Sequence, residues 1–209
     1  ALSSETGMPL LMDSVESSYE IFDGRRVGTF GRCEVFSLHA SKLLNGFEGG
    51  YIATNDSELA DVLALTRGFG FRLQDQTDHF GVNAKLNEVH AAMALASLDG
   101  VAEQVDRNRR LYERYVEQLA PISGIQLVEF DVSQRPGFKN IVLRLEDDWP
   151  LNRARTLDLL NAEGALARAY YSPPLHTKHT SYRTIAATLP VTEAIADRLL
   201  VLPSGYQVH

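Results

Sequence analysis

A lysine and an aspartate in this chain have the types and the spacing for chemistry on an aldehyde. Lys42 follows an apolar run that ends at Phe36, and Asp13 follows an earlier apolar run, residues 9–12. A lysine amine can condense with an aldehyde to form a Schiff base. A carboxylate at a strand end can keep a pyridine nitrogen protonated, so that the ring withdraws electrons. An enzyme that depends on pyridoxal 5′-phosphate needs both groups, so the pair predicts bond making or breaking beside an amine.

Hydrophobic patterning predicts the elements that must position these residues. We expect strands at residues 9–12, 33–36, 51–54, 125–128, 141–145 and 167–171. The continuous apolar run 9–12 is typical of a strand buried on both faces. We expect helices at residues 57–67 after an Asp56 cap, from Asn87 to an interruption at Gly100, from there to about Ala120, at 152–163 and at 194–200. Cys33 should be buried within its strand.

The hydrophobic pattern of the chain changes near residue 125, where strands with alternating apolar and polar residues replace continuous apolar runs. We therefore assign residues 1–100 to part of a large α/β domain. Residues 101–124 form a connecting helix, and residues 125–209 form a smaller α+β domain.

Composition excludes several classes of protein. The 209 residues carry a formal net charge of -7 and contain no dense run of Lys or Arg, which argues against a nucleic-acid partner. The single cysteine excludes an internal disulfide, and no His, Cys or carboxylate spacing predicts a metal site. No apolar run reaches the roughly 20 residues of a membrane helix, and no signal peptide is visible. A cytoplasmic protein acting on small molecules is the expectation.

Six blocks of sequence, in order along the chain, carry a family resemblance. They are Asp13-Ser14-Val15-Glu16, Gly24 to Gly31, Phe36 to Lys42, Phe47-Glu48-Gly49-Gly50, Gly81 to Glu88, and Tyr170 to His176. In these blocks the chain resembles the DegT/DnrJ/StrS family of nucleotide-sugar aminotransferases, which depend on pyridoxal phosphate. The resemblance implies fold type I, the aspartate-aminotransferase-like fold. This chain would supply the C-terminal part of the large domain and a small C-terminal domain.

The resemblance also implies roles for individual residues. Lys42 matches the Schiff-base lysine, which also moves the proton during amino transfer. Asp13 matches the partner of the pyridinium nitrogen, and Ser37 matches a hydroxyl that binds the cofactor phosphate. Asn83 matches a residue that reaches the cofactor phosphate of the neighbouring subunit, which implies a homodimer with a shared active site.

Two further positions bear on the chemistry. Glu16 stands where the family usually has His or Gln near the cofactor's 3-oxygen. A carboxylate there either raises the pKa of the Schiff base or alters the chemistry. His176, in the segment Ser172 to His176, is expected to approach the sugar substrate.

These blocks look most like those of members acting at C4 of a dTDP-4-keto-6-deoxyhexose, with L-glutamate as the expected amino donor. A non-catalytic or regulatory relative, or an inactive fragment, stays open as an alternative. A sugar dehydratase of the same fold is disfavoured, because such members replace the lysine with histidine. A structural or interaction protein would require all six blocks to be coincidental.

The matching blocks begin in the middle of the family pattern. Family members have well over a hundred residues before the position of Asp13, including a helix N-terminus that grips the phosphate and an aromatic residue that stacks on the cofactor ring. We expect this chain to be a piece of a longer polypeptide, with little or no activity when expressed alone.

Overall fold

The computed structural model describes residues 2–74, 76–169, 171–185, 187–206 and 208. The chain divides into two compact units, Ala1–Gln104 with Asp131–Gly137, and Val105–Phe130 with Phe138–His209. The division into domains at residues 1–100, 101–124 and 125–209 stays a proposal beside these units.

The first unit is built around a three-stranded sheet. Its elements are α1 (Leu2–Thr6), β1 (Leu11–Asp13), β2 (Ile21–Phe22), β3 (Arg25–Arg26), β4 (Cys33–Ser37), β5 (Gly50–Ala53), α2 (Ser57–Arg67), β6 (Phe71–Leu73), β7 (Gln76–Thr77) and the first half of α3 (Glu88–Leu119). The main sheet has the order β1-β4-β5, with β1 parallel and β5 antiparallel to β4. β2–β3 and β6–β7 form separate two-stranded pairs. Therefore β4 is the central strand, and residues on it can contact both neighbours.

Burial along the two parallel strands differs from the sequence pattern. Cys33 in β4 is buried, as predicted. β1 is not buried on both faces, because Leu11 is 62% exposed, so that expectation is wrong. The physical reason is position, since β1 is the end strand of the described sheet and pairs only with β4 there.

Helices α2 and α3 begin where their caps predict. Asp56 accepts a hydrogen bond from the amide of Leu59 at 3.0 Å and caps α2. Asn87 accepts one from the amide of His90 at 3.0 Å at the start of α3. The predicted interruption at Gly100 is wrong, because α3 runs without a break from Glu88 to Leu119. A single interior glycine costs a helix only about 1 kcal/mol relative to alanine, and the packing of fully buried Val101 offsets that cost.

The second unit has a sheet of different construction. Its elements are the rest of α3, β8 (Ile125–Leu127), β9 (Ile141–Leu145), α4 (Arg153–Ala162), α5 (Pro190–Ala196) and β10 (Leu199–Leu202), with a short 3₁₀ turn at Leu175–Thr177. The strand order is β10-β9-β8, antiparallel throughout. The core is wholly apolar apart from one phenol: Leu111, Tyr112, Phe138, Ile141, Leu143, Leu145, Ala167, Leu200 and Leu202. Predicted strands 125–128 and 141–145 and the helix at 152–163 correspond to β8, β9 and α4.

Two predicted elements of the second unit are wrong. The helix expected at 194–200 is replaced by α5, which ends at Ala196, and by β10. The apolar run from Leu199 onward pairs with β9 and buries Leu200, so tertiary pairing overrides the local helical pattern. The strand expected at 167–171 is reduced to one bridge between Arg168 and Val201, and Tyr170 lies outside the described residues.

The described residues lack two kinds of feature. They contain no helix with both the length and the apolarity needed to cross a membrane. The same residues contain no group of three or more His, Cys, Asp or Glu side chains that could hold a metal ion.

Candidate active site

The ends of β1 and β4 place two predicted site residues on one face of the first sheet. The strands are parallel, and Asp13 lies opposite Val35. Because side chains alternate along a strand, Asp13, Val35 and Ser37 share one face, and Glu34 shares the other face with Phe36. Ideal strand spacing puts the Cα atoms of Asp13 and Ser37 about 8 Å apart. A small ligand over this edge of the sheet can therefore meet both side chains.

Lys42 lies in a loop, residues 38–49, that folds back on itself after β4. The amide of Leu38 donates to the carbonyl of Gly49 at 2.8 Å, which closes the loop at its base. Leu38 and Leu43 are buried and anchor the loop through apolar contact. This anchoring leaves the side chain of Lys42 only 14% exposed. The lysine is thus held close to the body of the unit rather than extended into solvent.

The amine of Lys42 forms an ion pair with Glu16. Its Nζ donates a hydrogen bond to Oε1 of Glu16, whose side chain is 37% exposed. Glu16 follows Asp13 by three residues, in a turn where the amide of Ser17 donates to the carbonyl of Ser14 at 3.0 Å. The pair puts the amine in contact with a carboxylate that can orient it and accept its proton.

Asp13 and Ser37 keep hydrogen-bonding capacity for a ligand. Asp13 is exposed, and its Oδ1 accepts a long hydrogen bond of 3.4 Å from the amide of Val15. Ser37 Oγ accepts from the amide of His39 at 3.2 Å. A carboxylate has about four acceptor positions, and a hydroxyl that accepts can also donate. Asp13 can therefore accept from a protonated ring nitrogen, and Ser37 can donate to an anion.

These side chains fit pyridoxal phosphate by the chemistry of their polar groups. Lys42 offers a poorly exposed amine for an aldehyde, and Asp13 offers a carboxylate for a ring nitrogen. Ser37, on the same sheet face as Asp13, offers a hydroxyl for a phosphate oxygen. Asp13 and Ser37 end β1 and β4, and Lys42 lies in the loop that follows β4. Ligands of α/β sheets bind at such carboxyl ends of strands.

The other two predicted residues, Asn83 and His176, belong to other segments of the chain. Asn83 is exposed in the segment between β7 and α3, and its backbone forms a bridge with Gly68. His176 belongs to the second unit, in the 3₁₀ turn, where its Nε2 lies 3.2 Å from Oε1 of Glu193. The first unit therefore places Asp13 and Ser37 on one sheet face and Glu16 in contact with Lys42, and the roles of all six residues stay predictions.

Sequence reasoning missed Glu34, a fully buried carboxylate on the central strand β4. It accepts hydrogen bonds from Ser14 Oγ at 2.7 Å and from the amide of Gly28 at 2.8 Å, and a further one from the amide of Phe30. A charge buried in this way is costly unless it is hydrogen-bonded. A signal was present, because Glu34 is a lone acid within an apolar strand pattern.

Aromatic side chains line the face of the sheet that Glu34 occupies. Phe36 and Tyr51 are paired across β4 and β5, and their rings stack with centroids 4.5 Å apart. Burial raises the pKa of the Tyr51 phenol, an effect that its hydrogen bond with Ser18 partly opposes and that the charge of Glu34 reinforces. This face is therefore packed by neutral rings around one carboxylate, whereas the opposite face presents Asp13 and Ser37.

Relatives with assigned activities resemble this chain over most of its length. The dTDP-4-amino-4,6-dideoxy-D-glucose transaminase of Shigella dysenteriae is 28% identical over 175 residues, which cover 83% of this chain and 47% of that protein. The dTDP-3-amino-3,4,6-trideoxy-alpha-D-glucose transaminase of Streptomyces venezuelae is 27% identical over 207 residues, 98% of this chain and 53% of that protein. The chain thus spans about half the length of the curated relatives it matches.

Solved structures support the fold. A crystal structure of DesI in the presence of its TDP-sugar product matches with a TM-score of 0.89 and 36% identity, covering 100% of this chain and 53% of that one. The predicted fold type I, shared by aminotransferases that depend on pyridoxal phosphate, is confirmed. The model of the DegT/DnrJ/EryC1/StrS aminotransferase family matches residues 1–209. This chain belongs to the DegT/DnrJ/EryC1/StrS aminotransferase family.

Proposed function

We propose that this chain carries the lysine-bearing part of the active site of a nucleotide-sugar aminotransferase. The amino group would pass from an amino acid, L-glutamate, to C4 of a nucleotide-linked 4-keto-6-deoxy sugar. The observation that carries the proposal is the contact of the Lys42 amine with Glu16 beside the Asp13 and Ser37 end of the sheet. Family membership and relatives named as dTDP-sugar transaminases support the substrate class.

Asp13, Ser37 and Lys42 would hold the cofactor. Bound pyridoxal phosphate supplies an aldehyde that condenses with primary amines and a ring that withdraws electrons. Lys42 would hold it through its amine, and Asp13 would keep a proton on the ring nitrogen. Ser37 would donate to a phosphate oxygen, and Asn83 would donate to the phosphate bound by a second copy of the chain in a homodimer.

Lys42 and Glu16 would move the proton. When its nitrogen is not engaged with the cofactor, Lys42 Nζ would take a proton from the substrate carbon that bears the amino group, and return it to the carbon on the other side of the amino nitrogen. Glu16 Oε1, which accepts from Nζ, keeps that nitrogen oriented and can hold its proton between the two steps. A positioned base of this kind contributes about 10²–10⁴-fold to a rate.

The relatives differ in the sugar position for which they are named. One relative is named for a 4-amino sugar and another for a 3-amino sugar, at similar identity to this chain. The DesI structure, at 36% identity, was determined in the presence of its TDP-sugar product. We favour amination at C4, because the residues around Lys42 resemble those of family members that act at C4. His176 would approach the sugar. We further propose a cytoplasmic enzyme that acts on small molecules, with no membrane or nucleic-acid partner.

The ion pair also favours a second candidate function. Only a neutral amine can attack an aldehyde. The ion pair with Glu16 favours the protonated form of the Lys42 amine and therefore opposes its reaction with the cofactor aldehyde. A non-catalytic relative that binds a nucleotide sugar without fixing the cofactor would retain such a pair. The two candidates differ in whether Lys42 forms a covalent bond to the cofactor.

Borohydride reduction tests this difference directly. The full-length protein is incubated with pyridoxal phosphate, reduced with sodium borohydride, digested and analysed by mass spectrometry. We expect the reduced adduct on the peptide that contains Lys42, and a visible absorbance band that changes when L-glutamate is added. Lys85→Arg, at a lysine of the same unit placed over the Phe69 ring, is the matched control and should retain the band. A folded protein with no adduct and no band would exclude the aminotransferase.

A further inference from the structure

Glu34 is held from two sides, and its described partners are all uncharged donors. Oε2 accepts from Ser14 Oγ at 2.7 Å, and Oε1 accepts from the amides of Gly28 and Phe30. The residue is completely buried at the centre of the sheet. Hydrogen bonds to a charged acceptor are stronger than neutral ones, so this carboxylate strongly constrains the segments that donate to it.

One of those segments contains both carboxylates of the candidate site. Ser14 directly follows Asp13, and its amide donates to the carbonyl of Val35 at 3.0 Å. Its carbonyl accepts from Ser17 at 3.0 Å, which closes the turn that carries Glu16. Ser14 is therefore fixed through its amide, its carbonyl and its hydroxyl, and the hydroxyl depends on Glu34.

We propose that Glu34 is a positioning residue that acts through Ser14 from the opposite face of the sheet, setting the places of Asp13 and Glu16 at the active site. This inference rests on the proposed function of those two carboxylates. Among the described residues, the Asp13 carboxylate has a single hydrogen bond, which is long at 3.4 Å, and the residue is exposed, so its position depends on the neighbouring backbone. Rotation or shift of residue 14 would move Asp13 on one side and Glu16 on the other.

The contacts of Glu34 Oε1 show why Ser14, rather than Glu34, is the residue to substitute in a test of this positioning. Its Oε1 also fixes the loop from Gly28 to Phe30, where Gly28 has a φ of 108°, a conformation that side chains disfavour. Substitution of Glu34 itself would release the loop and the turn together. Ser14→Ala removes only the hydroxyl that links Glu34 to the turn, and leaves the two amide contacts in place.

The test compares Ser14→Ala with Ser18→Ala in the full-length protein. Ser18 is a buried serine of the same segment whose hydroxyl lies 3.4 Å from the Tyr51 hydroxyl and is not among the partners of Glu34. The measurements are the dissociation constant for pyridoxal phosphate, the pH midpoint of its bound absorbance band, and urea unfolding. We expect about tenfold weaker binding in Ser14→Ala, and a lower midpoint because Glu16 lies less close to Lys42. Ser18→Ala should bind like the unaltered protein.

The outcomes separate the two proposals. Binding and midpoint that change in Ser14→Ala but not in Ser18→Ala support positioning through Glu34. Equal binding and equal midpoints in both variants, with similar losses of stability, would overturn it and leave the proposed function standing. If the unaltered protein binds no pyridoxal phosphate while folded, the proposed function fails and the positioning proposal fails with it.

Discussion

The central strands of the two sheets, β4 and β9, are both five residues long and are built for different tasks. β9 alternates buried and half-buried residues, and its buried positions, Ile141, Leu143 and Leu145, are all apolar. β4 buries Glu34 beside Phe36 on one face and ends at Ser37. The second unit is thus stabilised mainly by a continuous apolar core. In the first unit, a carboxylate at the same central place fixes loops, and polar residues collect at the strand ends.

This contrast predicts where substitutions act. Changes in β9 should alter the free energy of unfolding without altering the chemistry of the bound cofactor. Changes around β1 and β4 should alter the chemistry more than the stability, because their polar groups lie at the edge of the sheet.

The largest effect on chemistry is expected for Lys42→Arg. Arginine keeps the positive charge and can pair with Glu16, but its guanidinium neither condenses with an aldehyde nor gives up a proton near neutral pH. Loss of proton transfer alone should lower the rate of the glutamate half-reaction by about 10²–10⁴-fold. Stopped-flow absorbance of the full-length protein measures this rate.

Lys85→Arg again serves as the control, because it makes the same exchange at a lysine outside the group of Asp13, Glu16 and Ser37. Urea unfolding should show nearly unchanged stability in both variants. A Lys42→Arg protein with the full half-reaction rate would contradict the role of the amine.

The largest effect on stability is expected for Ile141→Ala in β9. Ile141 is fully buried in the apolar core, and truncation of such a side chain costs about 2–5 kcal/mol. Ile141→Val removes one methylene and should cost about 0.5–1.5 kcal/mol. Urea unfolding followed by circular dichroism measures both changes. Equal losses for the two variants would show that the core around Ile141 is not closely packed.

The sequence was sufficient for features that depend on local pattern. The apolar runs before Asp13 and Lys42 predict strands, and the structure has β1 and β4 there, whereas the roles of the two residues stay predictions. α2 begins after Asp56 because an aspartate accepts from the amide three residues on, an interaction that the local sequence encodes. The fold type came from the order of the six blocks, and it is confirmed.

The sequence was insufficient where a partner comes from another strand. Nothing in residues 199–202 distinguishes a helix end from a strand, and pairing with β9 decides the outcome. The role of Glu34 depends on Ser14, twenty residues away, and on the loop amides that reach it. The contact of Glu16 with Lys42 likewise depends on the parallel register of β1 and β4, which strand patterns alone do not give.

A smaller effect on chemistry is expected for Glu16→Gln. The amide keeps the size of the side chain and can still accept from Lys42, but it removes the negative charge beside the amine. We expect the half-reaction to slow about tenfold, as for loss of one charge-assisted hydrogen bond. The pH midpoint of the bound absorbance band should fall, because a carboxylate stabilises the protonated form of a neighbouring cation.

Glu48→Gln is the matched control for that change. Glu48 is an exposed acid of the Lys42 loop, 3.8 Å from His39. Spectrophotometric pH titration of both variants makes the comparison. A Glu16→Gln midpoint equal to that of Glu48→Gln would mean that Glu16 turns away from the cofactor once it is bound.

The smallest expected effect compares one helix cap from each unit. In the first unit, the hydrogen bond from the Leu59 amide, followed by the one from Arg32, lowers the pKa of Asp56 below its ordinary value of 3.8. A carboxyl whose pKa is lower in the folded state stabilises that state above pH 3.8, and this contribution is lost as the pH falls through the folded-state pKa. In the second unit, Asn152 caps α4 with an uncharged side chain, whose Oδ1 accepts from the backbone amide of Arg155 at 3.0 Å.

The two caps should therefore respond differently to acid. Asp56→Asn keeps an acceptor for the helix and loses the charge, so the variant should be slightly less stable than the unaltered protein near pH 7, and this difference should be smaller near pH 3. Asn152→Ala should cost about 1 kcal/mol at both pH values, because no titrating group is removed. Urea unfolding of both variants at the two pH values measures the differences. An Asp56→Asn deficit that persists in acid would assign the stabilisation at this cap to geometry rather than charge, and would remove this electrostatic distinction between the two units.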